Sequence, residues 1–225
     1  MAVNEKLRIR PPKAPNLPVS PIDYHQQHHE QLSNALRLYF NQIDNFASAL
    51  SGTVGGAYLQ SPHIGASDTT DQYATADNTP TIVKWNTLDS GLGFTLASNT
   101  ATANYSGVYK IDYSLQYANT DNAQHDIDVW LRINGVDLAG STSKISIPAR
   151  KSAILPTYTL AVSFVMFTIN AGDDIELYWA TDKAFVVSPA ADGVYMEYKP
   201  AQTSPFAHPS IPSAIGTITF VSAPY

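Results

Sequence analysis

The chain has 225 residues, a formal net charge of −6, 44% hydrophobic residues, only 14% charged residues and no cysteine. The missing thiols exclude a disulfide scaffold, a thiolate zinc site and a thiol nucleophile. The negative balance offers no general attraction to a phosphate backbone, so nucleic acid is not an expected partner, and Ser, Thr, Asn and Gln must solubilise the surface in place of charge.

Residues 1–21 contain Pro11, Pro12, Pro15, Pro18 and Pro21 together with Lys6, Arg8, Arg10 and Lys13. Such proline density removes backbone donors and favours extended geometry. Basic residues here are not followed by the apolar block of a secretory leader. A disordered tail and an extended arm that docks on a larger acidic partner both fit. Apolar Leu7, Ile9, Leu17 and Val19 favour the arm, with Leu7, Arg8, Ile9, Arg10, Pro11 and Pro12 as its anchoring residues.

Residues 22–51 predict an amphipathic helix, with Asp23 as N-cap and Gly52 as its stop. Leu32, Leu36, Tyr39, Ile43, Phe46 and Leu50 recur at alternating steps of four and three, the a/d period of a coiled coil. His25 and His29 continue the same stripe. Self-association in a short bundle, and packing against the same chain or a different partner, are both compatible with it. Residues 52–79 are small, polar and turn-forming without a clear period, and predict a linker.

Residues 80–225 predict strands throughout, at 81–85, 93–97, 108–118, 126–134, 136–148, 157–169, 174–181, 193–198 and 215–223. In 108–118, Tyr109, Ile111, Tyr113, Leu115 and Tyr117 alternate with mostly polar residues, a two-residue period held over eleven positions. Asn134-Gly135 is a preferred two-residue hairpin turn. With no crossover helix in sight, the expected fold class is mainly β, a two-sheet sandwich or jelly roll. No apolar run approaches the ~18 residues of a membrane span, so no membrane insertion is expected.

The motifs of common enzymes, GxSxG, HExxH, a P-loop and GxGxxG, are missing from the sequence. His25 and His29 lie one turn apart beside Glu30, and Asp126 and Asp128 share a strand face, but both groups read as ordinary surface. No catalytic residue, metal site or cofactor is therefore expected. Trp130 faces away from Ile127, Val129, Leu131 and Ile133. It is the candidate for stacking on a glycan, against the competing reading of packing between subunits.

Several segments carry a resemblance: Gly107-Val108-Tyr109; Val129 to Gly135, which ends in Asn-Gly; Phe167 to Leu177, with Gly172-Asp173 between two strands; and Ile215 to Phe220. Over roughly residues 85–223 they are similar, in order and wording, to the jelly-roll domain of the C1q and tumour-necrosis-factor superfamily. That resemblance implies a compact homotrimer whose threefold axis is lined by aromatics. Tyr109, Tyr113, Tyr117, Phe164, Phe167, Tyr178 and Trp179 are available for core and axis, and Tyr113 and Phe167 are the expected oligomerisation residues of the head, beside the helix stripe.

The layout of proline-rich arm, helix and low-charge β head also resembles structural proteins of tailed bacteriophages, in particular marine and cyanobacterial ones. It implies a non-enzymatic virion component, either a capsid decoration or cement protein or a head fibre. Its arm would contact the major capsid protein or tail and vertex proteins. The alternative is a short tail fibre that recognises a host surface glycan. Residues 1–37 carry five basic and three acidic side chains, and the rest of the chain eight and sixteen. That polarity suits a positive anchor and an acidic head.

Overall fold

The computed structural model describes residues 12–19, 22–23, 26–51, 61–187 and 190–222. Two compact units result, Met1–Gln60 and Ser61–Tyr225. In the first, α1 spans Gln26–Ser51, 26 residues, or about 39 Å at 1.5 Å per residue. Leu32, Leu36, Tyr39, Ile43 and Phe46 form its half-exposed side. Asp23 lies three residues before Gln26, so it is not the residue that caps the first turn. No acidic residue occupies that turn and no basic residue the last one. The ends are thus left without charge compensation, and the apolar stripe is the main resource for stabilising the helix.

The second unit contains β1 (His63–Asp68), β2 (Gln72–Tyr73), β3 (Thr81–Ile82), β4 (Thr87–Leu92), β5 (Phe94–Ala97), β6 (Thr100–Ala103), β7 (Gly107–Asn119) and β8 (His125–Ile133). It continues with β9 (Val136–Asp137), β10 (Ser143–Ile147), β11 (Thr157–Ile169), β12 (Asp174–Thr181), β13 (Val186–Val187), β14 (Ala190–Ala191), β15 (Val194–Met196) and β16 (Ala214–Ser222). All the pairings between these strands are antiparallel.

One sheet runs β4-β1-β16-β7-β11, with β15 and β2 continuing beyond β16 on the same edge of β7. The other runs β5-β6-β12-β8-β10, with β3 on β12 and β9 on β8. The eight principal strands are β1, β6, β7, β8, β10, β11, β12 and β16. Numbered along the chain, they order one sheet first-eighth-third-sixth and the other second-seventh-fourth-fifth. This is a jelly roll, and it follows from the pairings alone.

The core is set by parity. Tyr109, Ile111, Tyr113, Leu115 and Tyr117 of β7 point inward, as do Ile127, Val129 and Leu131 of β8 and Ile175, Leu177 and Trp179 of β12. Asn134 and Gly135 turn β8 into β9 with φ of 51° and 77°, the left-handed pair that a type I′ hairpin requires.

Two expectations change. The segment 52–79 is not a linker throughout, because β1 lies inside it as an interior strand between β16 and β4. After His63 and Ile64 its residues Gly65, Ala66, Ser67 and Asp68 are small, and little room is left there: a Cβ on Gly65 would stand 3.3 Å from Ser90 Oγ. The 81–85 strand shortens to β3. Beyond it, Val83 N–H donates to Leu177 O, while Lys84 N–H donates to Gln72 Oε1 at 2.7 Å and Lys84 C=O accepts from Gln72 Nε2 at 3.1 Å.

Candidate functional site

β7 and β11 pair over all thirteen positions, from Thr157 opposite Asn119 to Ile169 opposite Gly107. This register sorts the side chains of β11. Residues opposite the core face of β7, including Ala161, Val165 and Phe167, turn inward. Those opposite Gln116, Ser114, Asp112 and Lys110 turn outward, and they are Leu160, Val162, Phe164 and Met166.

The four outward side chains are 58%, 67%, 65% and 55% exposed, and Ile215 and Val221 add to the exposed apolar surface from β16. The stripe on β11 leaves roughly 450 Å² of largely apolar area in water, worth on the order of 10 kcal/mol per chain if fully covered. Patches of a few hundred Å² mark interaction surfaces. Among the described residues the far edge of β11 pairs with no strand. The molecule therefore offers a long apolar edge, a feature that folded proteins cover or protect.

Polar groups break the face at two places. In its middle, Lys110 Nζ lies 2.7 Å from Asp112 Oδ1 and 5.2 Å from the centre of the Phe164 ring. Toward one end, Lys199 Nζ donates to the Tyr158 hydroxyl at 2.8 Å and sits 3.2 Å from Glu197 Oε2. The Tyr195 hydroxyl donates to Glu197 Oε1 at 3.0 Å. Burial, and then the Glu197 charge, push that phenol above its ordinary value. Tyr195 also stacks on Tyr73 at 5.5 Å, and Phe185 closes a three-ring cluster.

The expected oligomerisation residues of the head are not on this surface. Tyr113 and Phe167 are 3% and 7% exposed and belong to the chain's own core. The difference is one of parity, since Phe164 and Met166 lie at the opposite parity of the same strand and carry the outward face. The signal was available in the sequence. Residues 157–169 are apolar at both parities, and an antiparallel strand apolar on two sides needs cover on two sides. On the helix, Leu32, Leu36, Tyr39, Ile43 and Phe46 do share one side, while the Leu50 side chain, His25 and the anchoring residues Leu7, Arg8, Ile9, Arg10 and Pro11 lie outside the described residues. Pro12 opens an irregular stretch through Val19.

Trp130 lies on the outer face of the second sheet, partly exposed. Its ring stacks on Tyr178 across the strand pair at 6.1 Å, and its Nε1 donates to Asp137 Oδ1 at 2.8 Å. Arg132 Nε donates to the same oxygen at 2.9 Å, and the guanidinium covers the Tyr178 ring at 3.9 Å. The indole N–H is thus engaged within the chain. Asp126 and Asp128, on the same face, share Lys144 at 3.2 and 3.8 Å. Among the described residues no three His, Asp or Glu side chains gather as metal ligands. No described helix is long and apolar enough to cross a membrane.

His125, not singled out as a site residue in the sequence, is held by carboxylates on both ring nitrogens, Asp121 at 3.0 Å and Asp182 at 3.1 Å. It ties the β7–β8 loop to the end of β12. The hydrogen bond from His125 is the main cause that lowers the Asp121 carboxyl below its ordinary value.

No family model matches the chain, and no curated protein matches it. Among solved structures, murine APRIL at pH 5.0 is 13% identical with a TM-score of 0.42, over 72% of this chain and all of the other. Eiger TNF from S. frugiperda is 12% identical with the same TM-score of 0.42, over 73% of this chain and 94% of the other. Likeness at this level assigns no role to the chain, and the strand order remains the basis for its fold.

Proposed function

We propose that the chain is a non-enzymatic, homotrimeric structural protein of a virion, acting as capsid decoration or cement or as a head fibre. Sister heads would cover one another's β11, β7 and β16 faces, and the N-terminal arm would hold the assembly on the particle. The observation that carries the reading is the exposed stripe of Leu160, Val162, Phe164 and Met166 along an unpaired strand edge. A surface of this kind calls for a permanent partner, and another copy of the same chain is always at hand. The apolar seam on α1 supports association of the stalk in the same assembly. The virion assignment rests on the layout of arm, helix and low-charge β head.

The test has two arms. Mass in solution of the full chain is expected to be three times that of the monomer, and a persistent monomer removes the reading. Imaging of particles labelled at the C-terminus is expected to show labels across the shell. Labels confined to a tail or a unique vertex favour the second reading, a short tail fibre. The outward Trp130 and Tyr178 pair on the opposite sheet supports that alternative as a glycan-stacking surface.

A further inference from the structure

We infer that Lys110 and Asp112 form the polar centre of the self-association face and set its register, an inference that rests on the reading of that face as the contact between sister chains. Both side chains project from β7 into the middle of the apolar surface. Lys110 is opposite Met166 on one side and Thr219 on the other, and Asp112 is opposite Phe164 and Thr217. Their side chains are 39% and 42% exposed in the single chain, so covering the face would take both out of water.

A buried charge without a partner is strongly destabilising, whereas a matched pair at 2.7 Å tolerates burial. Cyclic symmetry sharpens the point. Close to a threefold axis the same residue of every copy approaches its equivalents, and a lone lysine or a lone aspartate per chain placed there would bring like charges together. One charge of each sign per chain lets every Lys110 find its own Asp112 and a sister's. Each face thus carries the counter-charges that a sister's pair needs, and this favours a second copy of this chain as its occupant.

The same pair excludes errors. A copy displaced from that register would separate each charge from its sister's counter-charge and leave it against apolar neighbours. In this role the ion pair contributes specificity more than affinity, as buried polar groups do in helical coiled coils.

The experiment compares the full chain with Lys110→Met, Asp112→Leu and the double variant. It uses sedimentation equilibrium together with hydroxyl-radical footprinting of Met166, which reports cover of the face even if α1 keeps the chains tethered. Each single variant is expected to raise the dissociation midpoint by roughly 100-fold or more and to open Met166 to oxidation. The double variant, with no unmatched charge, is expected to return to within about tenfold of the parent and to protect Met166 again. Circular dichroism checks that all heads stay folded, as substitutions at half-exposed positions should allow. Single variants whose Met166 is as protected as the parent's would overturn the role of the pair while leaving a self-associating face. A double variant as weak as the two singles combined would also overturn it. A parent chain that is monomeric with an open Met166 removes the underlying reading as well.

Discussion

Replacing Phe164 with Glu tests the face at its most apolar point. Phe164 is 65% exposed, and covering its ring removes about 130 Å² from water, or ~3 kcal/mol at 25 cal/mol per Å². In a closed trimer the loss occurs three times, about 9 kcal/mol, and the introduced carboxylate adds a charge that the partner would have to bury. Because the midpoint concentration of a trimer varies as the square root of its dissociation constant, that loss shifts the midpoint by roughly a thousandfold. The isolated head should not notice, since a substitution at an exposed position changes folding stability by only about ±0.5 kcal/mol. Sedimentation equilibrium over a wide concentration range, paired with thermal unfolding, separates the two effects. A variant with the same mass profile as the parent, and the same cover of Met166, would refute the assignment of this face to self-association.

Three further outcomes follow from the interior and the turns. Gln72 is 1% exposed and satisfies both backbone groups of Lys84. Gln72→Leu therefore strands two polar groups and is expected to cost about 2 kcal/mol in denaturant unfolding, and an unchanged midpoint would mean that water replaces the amide. Tyr117 is fully buried against Trp179, and its hydroxyl has no partner among the described residues. Tyr117→Phe is expected to raise Tm by about 2–4 °C, and a fall would reveal a bound water that the phenol holds. Asp173 accepts from Asn170 N–H at 2.7 Å and from Asn134 Nδ2 at 2.8 Å, and those bonds hold its carboxyl below the ordinary 3.8. A depressed value in the folded state means that its stabilisation is present above pH 3.8 and disappears as pH falls through the lower folded value. The Tm gap between parent and Asp173→Asn is thus expected to be full at pH 7 and to close in strong acid, with a pH-independent gap counting against the turn.

The β framework was legible wherever one pattern dominated. β7 alternates over eleven residues, β12 matches its expected limits at 174 and 181, and Asn134-Gly135 takes the turn its composition demands. What escaped was local structure fixed by distant neighbours. β1 has no sustained alternation, because beyond Ile64 this interior strand between β16 and β4 is built from the small residues Gly65, Ala66, Ser67 and Asp68. A strand of that kind is defined by its neighbours, 152 residues away in the case of Thr217 opposite Gly65. Lys84 leaves the sheet because a glutamine twelve residues earlier takes its backbone groups.

The candidate site turns on a finer point of the same kind. Residues 157–169 place Leu160, Val162, Phe164 and Met166 at one parity and Ala161, Val165, Phe167 and Ile169 at the other, so hydrophobicity alone does not say which set goes inside. Size would choose wrongly, since Phe164 and Met166 are as bulky as anything opposite them. The decision belongs to β7. Its inward set of Tyr109, Ile111, Tyr113, Leu115 and Tyr117 is unambiguous, and pairing in register carries that orientation across to β11. A shift of one residue would bury Phe164 and Met166 and expose Phe167 and Ile169, leaving an apolar stripe outside in either case. The two-sided strand therefore commits the head to being covered whichever way it pairs, and its register with β7 decides only which residues meet the partner.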